Sequence, residues 1–401
     1  MDKMLKRRLM AAVVLVFLLA VLGGGLFASR LFPQVPAAVE KTKEALTGQE
    51  TKRPLTIDEQ VEEIVSSMST TEKIGQLMVI GVQGTEANED ALYVLHQFHY
   101  GGIILFDRNL ESKAQTKALV QDLQAGADEK LPLFVGIDEE GGRVVRGKDF
   151  ITPPPSQEAV GKQGEPQQAQ KLAKSTAAEL KEMGINVNFA PVADVGAADG
   201  RSYSKEPYET LKFVQAAGEG YKESGMVYAL KHFPGIGRGL VDSHKEISSI
   251  EAGESELRKV DLVPFREMIN DTGKGKDLDY MVMVGHLNYP AFDKDNPASL
   301  SRKIITDLLR QEMGYQGLVI TDDLEMGAIA NHRSFRQVGV EAILAGCDIV
   351  LVCHEYQHAE DVYMGIYEAV QNGKISEMRL NESVRRVVKA KLLHGLRPAD
   401  H

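Results

Sequence analysis

Cysteine is close to absent from this 401-residue chain. The two that occur, Cys347 and Cys353, stand at opposite ends of one apolar run in AGCDIVLVC. An extended strand holds them well beyond the roughly 7 Å that a disulfide tolerates between Cα atoms. Both are expected as buried core thiols, and neither a disulfide framework nor a zinc site is expected. Positive charge is also short: 46 Lys and Arg against 57 Asp and Glu leave a net charge of −11, the wrong balance for a nucleic-acid surface. One stretch lacks charge altogether. The 21 residues Leu9–Ser29 would span ~30 Å as a helix, enough to cross a bilayer core.

Lys3, Lys6, Arg7 and Arg8 precede that run, so the expectation is a membrane-anchoring transmembrane helix with a cytoplasmic N-terminus and everything after Arg30 outside. A cleaved signal peptide, which would release the protein, is the alternative. No cysteine follows the run, which argues against a lipid-modified terminus. Residues 31–55 carry Pro33, Pro36 and Pro54 without apolar periodicity and read as a linker. The folded domain is expected over 56–401.

From Thr56 on, short apolar runs alternate with longer amphipathic ones, the pattern of a parallel sheet wrapped by helices. Strands are expected at 76–82, 102–106, 133–138, 187–192, 227–232, 280–287, 318–322 and 348–353. Helices are expected between them, at 113–125, 167–183, 208–224, 254–269 and 335–344, with further helices over 356–393. Eight such units predict an α/β fold of the (β/α)8 TIM-barrel type; a doubly wound open sheet is the alternative. In a barrel, chemistry gathers where strands end. The strand ends here carry Asp138, Lys231 with His232, His286 and Asp322, and Arg201 follows the fourth strand.

The densest stretch is KHFPGIGRGLVDSHKE, Lys231 to Glu246, a polar loop leaving a buried strand. Asp242 and His244 flank Ser243 there, so a turn could let the carboxylate orient the imidazole as a general acid/base. A strand-end carboxylate opposite such a donor suits displacement at an anomeric carbon. It also suits a metal-assisted hydrolase, although Lys231 beside His232 would repel a cation. The residues alone leave several hydrolase types open.

Taken together and in order, MSTTEKIGQLMVIG, DEEGGRVVR, NFAPVADV, GRSYSKEP, KHFPGIG with DSH, and ITDDLEM resemble the β-N-acetylglucosaminidases of glycoside hydrolase family 3, of the kind that act in bacterial cell-wall turnover. The resemblance implies a retaining exo-hydrolase that removes terminal N-acetylglucosamine from muropeptides or related glycans. It implies Asp322 as the nucleophile, His244 as the acid/base and Asp242 as its dyad partner. Asp138, Arg146, Arg201, Lys231 and His232 would line the sugar subsite, with Asp323, Glu139, Glu140 and Arg143 supporting them. No cofactor and no metal are implied. The expected partner is a carbohydrate, met by a monomer held at the membrane through its N-terminal helix. Two departures stand out: Ile236 occupies the place of a second histidine, and Arg238 adds a charge nearby. A phosphorylase using the same residues, or a tethered glycan-binding protein, are the alternatives.

Overall fold

The computed structural model describes residues 53–127, 131–197, 199–237, 248–272 and 279–397. The expected membrane helix, most of the linker, and Arg238, Asp242 and His244 lie outside the described residues. Among the described residues no helix is long and apolar enough to cross a membrane.

Eight parallel strands close on themselves in sequence order: β1 Met78–Gly81, β2 Gly102–Leu105, β3 Phe134–Ile137, β4 Val187–Asn188, β5 Val227–Phe233, β6 Tyr280–Val284, β7 Leu318–Asp323 and β8 Ile349–Val352. The register of β1 against β8, Val79 opposite Leu351, completes the ring. Every expected strand is present, most of them shorter than expected; β4 keeps only two residues. The helix expected at 254–269 is two, Glu254–Lys259 and Val263–Thr272.

Side chains alternate across a strand, so residues two apart share a face. One face builds the barrel interior: Val79, Ile104, Phe134, Val187, Val227, Ala229, Met281, Met283, Leu318, Ile320, Ile349 and Leu351 form one buried cluster. The other face packs against the helices in a larger cluster. The fit inside is tight. A Cβ on Gly136 would come within 2.6 Å of the Phe189 ring, so glycine there leaves room for an aromatic plug.

The strands begin over a charged floor. Asp348, just ahead of β8 and fully buried, accepts from Arg310 Nη2 at 2.5 Å, Arg386 Nη1 at 3.0 Å, Ser383 Oγ at 2.6 Å and the Val319 amide at 3.0 Å. These guanidinium groups hold its carboxyl below the usual range against the opposing effect of burial. The helix Glu377–Leu393 therefore crosses the bottom of the barrel. Its Val387 and Ala390 enter the interior cluster, and its Lys391 donates to Gln76 Oε1 at 2.7 Å and sits 5.2 Å over the Phe134 ring. Removing one member of such a network strands buried charge, so Asp348→Ala should cost about 3–5 kcal/mol of stability. Urea denaturation of the two proteins measures it, and an unchanged midpoint would contradict the role given to this floor.

Candidate active site

Extending the inward parity by one step puts polar residues at the top of the barrel. Beyond Phe134 and Gly136 on β3 comes Asp138; beyond Val227 and Ala229 on β5 comes Lys231; beyond Leu318 and Ile320 on β7 comes Asp322. Two of these strands also carry a bulge at that step. On β5, Lys231 pairs with Met283 and Phe233 with Val284, so His232 is the extra residue. It joins Lys231 at the same cavity rather than turning to the opposite face. On β7, Ile320 pairs with Ile349 but Asp323 with Leu351, so Asp322 sits within the irregular stretch. Side chains replace the missing ladder there. Thr321 Oγ1 accepts from the Leu351 amide at 3.1 Å and Asp323 Oδ1 from the Cys353 amide at 3.2 Å.

Lys231, 2% exposed, donates from Nζ to Asp138 Oδ1 at 2.6 Å and pairs with Glu140 Oε1 at 2.7 Å. Burial works against its charge, but the two carboxylates raise its pKa above the ordinary lysine value. Arg201 grips Glu140 with two parallel bonds, Nε to Oε2 at 2.9 Å and Nη2 to Oε1 at 2.7 Å. Buried Glu140 is held well below the usual carboxyl range by these two cations. His232 is oriented from behind: Asp194 Oδ2 lies 2.7 Å from its Nδ1, and Asp194 Oδ1 accepts the amides of His232 and Ile236 at 3.0 and 2.9 Å. A carboxylate partner places the proton on Nδ1 and leaves Nε2 to face Arg201 Nη2 at 3.3 Å.

Asp322 stands among these groups. Burial alone would raise its carboxyl; the His232 and His286 rings, the Asp323 amide and Lys231 outweigh it and hold the group below the ordinary aspartate value. The Asp323 amide donates to Asp322 Oδ1 at 2.9 Å. An ionised carboxylate in a half-buried, cation-lined setting is equipped to act as a nucleophile. Asp138, Glu140, Arg146, Arg201, Lys231, His232 and Asp322 line one cavity of about 350 Å³. A second, of about 310 Å³, shares Asp138, Arg146 and Asp322 with the first and is walled by Phe106, Met283 and His354. The site is thus a cleft of ligand size, with Asp322 where its two halves meet.

Such a site, at the C-terminal mouth of a barrel, has its counterparts among known proteins. Residues 69–390 match the glycosyl hydrolase family 3 N-terminal domain. The chain belongs to glycosyl hydrolase family 3. It is 34% identical over 325 residues to a beta-hexosaminidase of Nitrosomonas eutropha, covering 78% of this chain and 90% of that one. It is 34% identical over 329 residues to beta-hexosaminidase A of Pseudoalteromonas piscicida, of which it spans only 54%. Among solved structures, a family 3 β-N-acetylglucosaminidase from Paenibacillus sp. str. FPU-7 superposes with a TM-score of 0.79 at 35% identity, over 82% of this chain and 63% of that one. LpqI of M tuberculosis superposes at 0.76 and 30% identity, over 85% and 98%.

Of the residues expected from sequence, the structure brings Asp138, Arg146, Arg201, Lys231, His232 and Asp322 to one cleft, with two differences. His286 does not line the cavity. It lies one step out of phase with the inward residues of β6, fully buried, with Nδ1 2.7 Å from Ser299 Oγ and Nε2 2.8 Å from the Asp323 carbonyl. A carbonyl only accepts, so Nε2 carries the proton and the ring braces the chain beside Asp322. Asp194 was visible in NFAPVADV but had no role there, although it orients His232. Ile236 lines the larger cavity as an apolar wall, its amide tied to Asp194, and Tyr289 Oη donates to the Gly235 carbonyl at 2.8 Å. The stem of the loop that leads to Asp242 and His244 is therefore fixed. His354 and His358 have the spacing of a metal-binding pair, yet His354 Nε2 lies 3.2 Å from Asp323 Oδ2 and His358 Nδ1 2.6 Å from Glu325 Oε1. Among the described residues no group of three or more His, Cys, Asp or Glu side chains is arranged to hold a metal.

The Glu140 pairing makes a pH signature. A depressed folded pKa contributes stability that is present above the ordinary glutamate value of 4.5 and fades as pH falls below it. Glu140→Gln should therefore lose on the order of 3 kcal/mol at pH 7, with the gap to wild type narrowing below pH 4.5. Denaturation midpoints between pH 7 and pH 3 test this; a gap that stays constant would refute it.

Proposed function

We propose that this chain is an exo-acting, retaining β-N-acetylglucosaminidase that removes terminal N-acetylglucosamine from muropeptides or related glycans. The observation that carries the reading is the half-buried Asp322, its carboxyl held below the ordinary aspartate range, on a cavity whose walls also offer Asp138, Arg146, Arg201, Lys231 and His232 to sugar hydroxyls. The names of the Nitrosomonas and Paenibacillus relatives support the hexosamine. A pocket closed below by packed side chains supports action on a chain end.

In this reading an oxygen of Asp322 attacks the anomeric carbon as the bond to the leaving oxygen breaks. His244 gives its proton to that oxygen, so the leaving group departs neutral and a glycosyl ester remains on Asp322. His244 then takes a proton from water, the resulting hydroxide attacks the same carbon, and the Asp322 carboxylate is released. Two displacements retain the configuration. Asp242 orients His244 and favours its charged form. Lys231 and Arg201, balanced by Asp138 and Glu140, hold the sugar in a site where water is largely excluded, which strengthens each polar contact. The N-terminal run would place this activity outside the cell membrane.

Hydrolysis of a chromogenic β-N-acetylglucosaminide, with the matching β-glucoside as control, tests the proposal. Asp322→Asn should lower kcat by about 10³-fold or more, and His244→Ala by about 10²-fold or more. Equal turnover of both sugars would overturn the hexosamine preference. Release of long internal fragments from intact cell wall would overturn exo action, and a rate that depends on phosphate would turn the reading to a phosphorylase.

A further inference from the structure

One buried acid of the cavity loop has no part in the mechanism above. Glu139, between Asp138 and Glu140, is 1% exposed. Its backbone is fastened to β4: its amide donates to Asn188 Oδ1 at 2.9 Å and its carbonyl accepts from Asn188 Nδ2 at 3.1 Å. Asn188 Nδ2 in turn donates to Tyr221 Oη at 3.0 Å. From this anchored point the carboxylate reaches forward along the chain. Oε2 accepts the amides of Arg146 at 2.9 Å and Gly147 at 3.4 Å, while Oε1 is buried with no hydrogen-bond partner. The side chain thus closes a ring around the loop that carries Glu140, Arg143 and Arg146.

At the tip of its side chain, Arg146 is held weakly. Its guanidinium lies 3.6 Å from Asp107 Oδ1 and 3.6 Å from Asp138 Oδ2, too far for good hydrogen bonds. The group lies 5.1 Å over the Phe106 ring, and its Nε is buried without a partner. A long side chain with loose contacts at its end points where its backbone aims it. We infer that Glu139 is a positioning residue, whose carboxyl locks the Arg146 backbone to the β4-anchored start of the loop and so aims the guanidinium at the bound sugar beside Asp138. What Arg146 meets there rests on the function proposed above. The neighbouring charges agree with the assignment. Burial raises the Glu139 carboxyl above its ordinary range, against the pull of the two amides and Arg146. Of the two consecutive glutamates, Glu140 is thus paired with two cations, whereas Glu139 meets backbone amides.

The test uses the full chain, with thermal melts to establish folding, and reads both hydrolysis of the chromogenic N-acetylglucosaminide and calorimetric binding of N-acetylglucosamine. Glu139→Ala should raise KM and the sugar Kd by about tenfold with a smaller change in kcat. Glu139→Gln keeps an uncharged oxygen for the two amides and should stay within about twofold of wild type. In an Arg146→Ala background, Glu139→Ala should add almost nothing, because the group it aims is gone. Glu139→Asp, too short to reach both amides, gives the same readout should the alanine variant not fold. Wild-type affinity in Glu139→Ala, or an undiminished effect in the Arg146→Ala background, overturns the inference. Binding without turnover by wild type would sink the proposed function while leaving the Kd test of Glu139 intact; neither binding nor turnover would sink both.

Discussion

Lys231 cannot sit 2% exposed at the top of a barrel unless its charge is matched, and the rest of the site follows from that need. Asp138 and Glu140 match it from the β3 loop. A second buried carboxylate then requires a second cation, which Arg201 supplies from the β4 loop with a bidentate grip. Arg201 brings its Nη2 to His232, which Asp194 holds by Nδ1. Each step settles the charge left by the one before it, until Asp322 stands half-buried in a field that holds its carboxyl below the ordinary range. The polar groups offered to a ligand are thus the outer members of a network whose inner members are consumed by one another.

The bulges explain how two consecutive residues, Lys231 and His232, serve one cavity. A regular strand would send one of them into the helix layer. Irregularity at the end of β7 likewise frees Asp322 from the ladder, and the side chains of Thr321 and Asp323 restore the backbone bonding that would be lost. His286 completes the support from the outer face by holding the Asp323 carbonyl. The site is therefore precise because its irregular backbone is braced by side chains, on strands whose lower halves are regular and packed.

Much of this is legible in the sequence. Apolar runs at barrel spacing marked all eight strands, because a parallel sheet covered on both faces needs near-continuous apolar sequence. Strand ends marked Asp138, Lys231 and Asp322, because inward parity carries straight into the mouth; His232 stood beside them in the sequence but reaches the mouth through the bulge on β5. His286 was misjudged through the same parity: 281 and 283 point inward, so 286 does not. The bulges left no mark in the sequence, since they depend on the register of neighbouring strands. Asp194 was hidden for a related reason, and Glu139, expected as a support, showed no specific partner. Their roles are set by partners 38 residues away or by a loop closing on itself, and nothing in their local sequence separates them from the turn and surface acids nearby.

The two ends of the barrel handle charge in different ways, and that difference separates stability from chemistry. At the bottom, Asp348 is ringed by two arginines, a serine and a backbone amide, its partners drawn from β7, the helical segment Lys303–Glu312 and the helix Glu377–Leu393. Four hydrogen bonds converge on its carboxylate, so its hydrogen-bonding capacity is used up within the fold. At the top, Asp138 has Lys231 at close range but Arg146 only at 3.6 Å, and Arg146 Nε lacks a partner. A fold optimised only for stability would close those contacts as it does at Asp348. Leaving them open costs little, because the apolar layers from Phe134 to Leu351 and the floor beneath them carry the packing. The incomplete bonding at the mouth is then capacity reserved for a ligand whose hydroxyls can complete it.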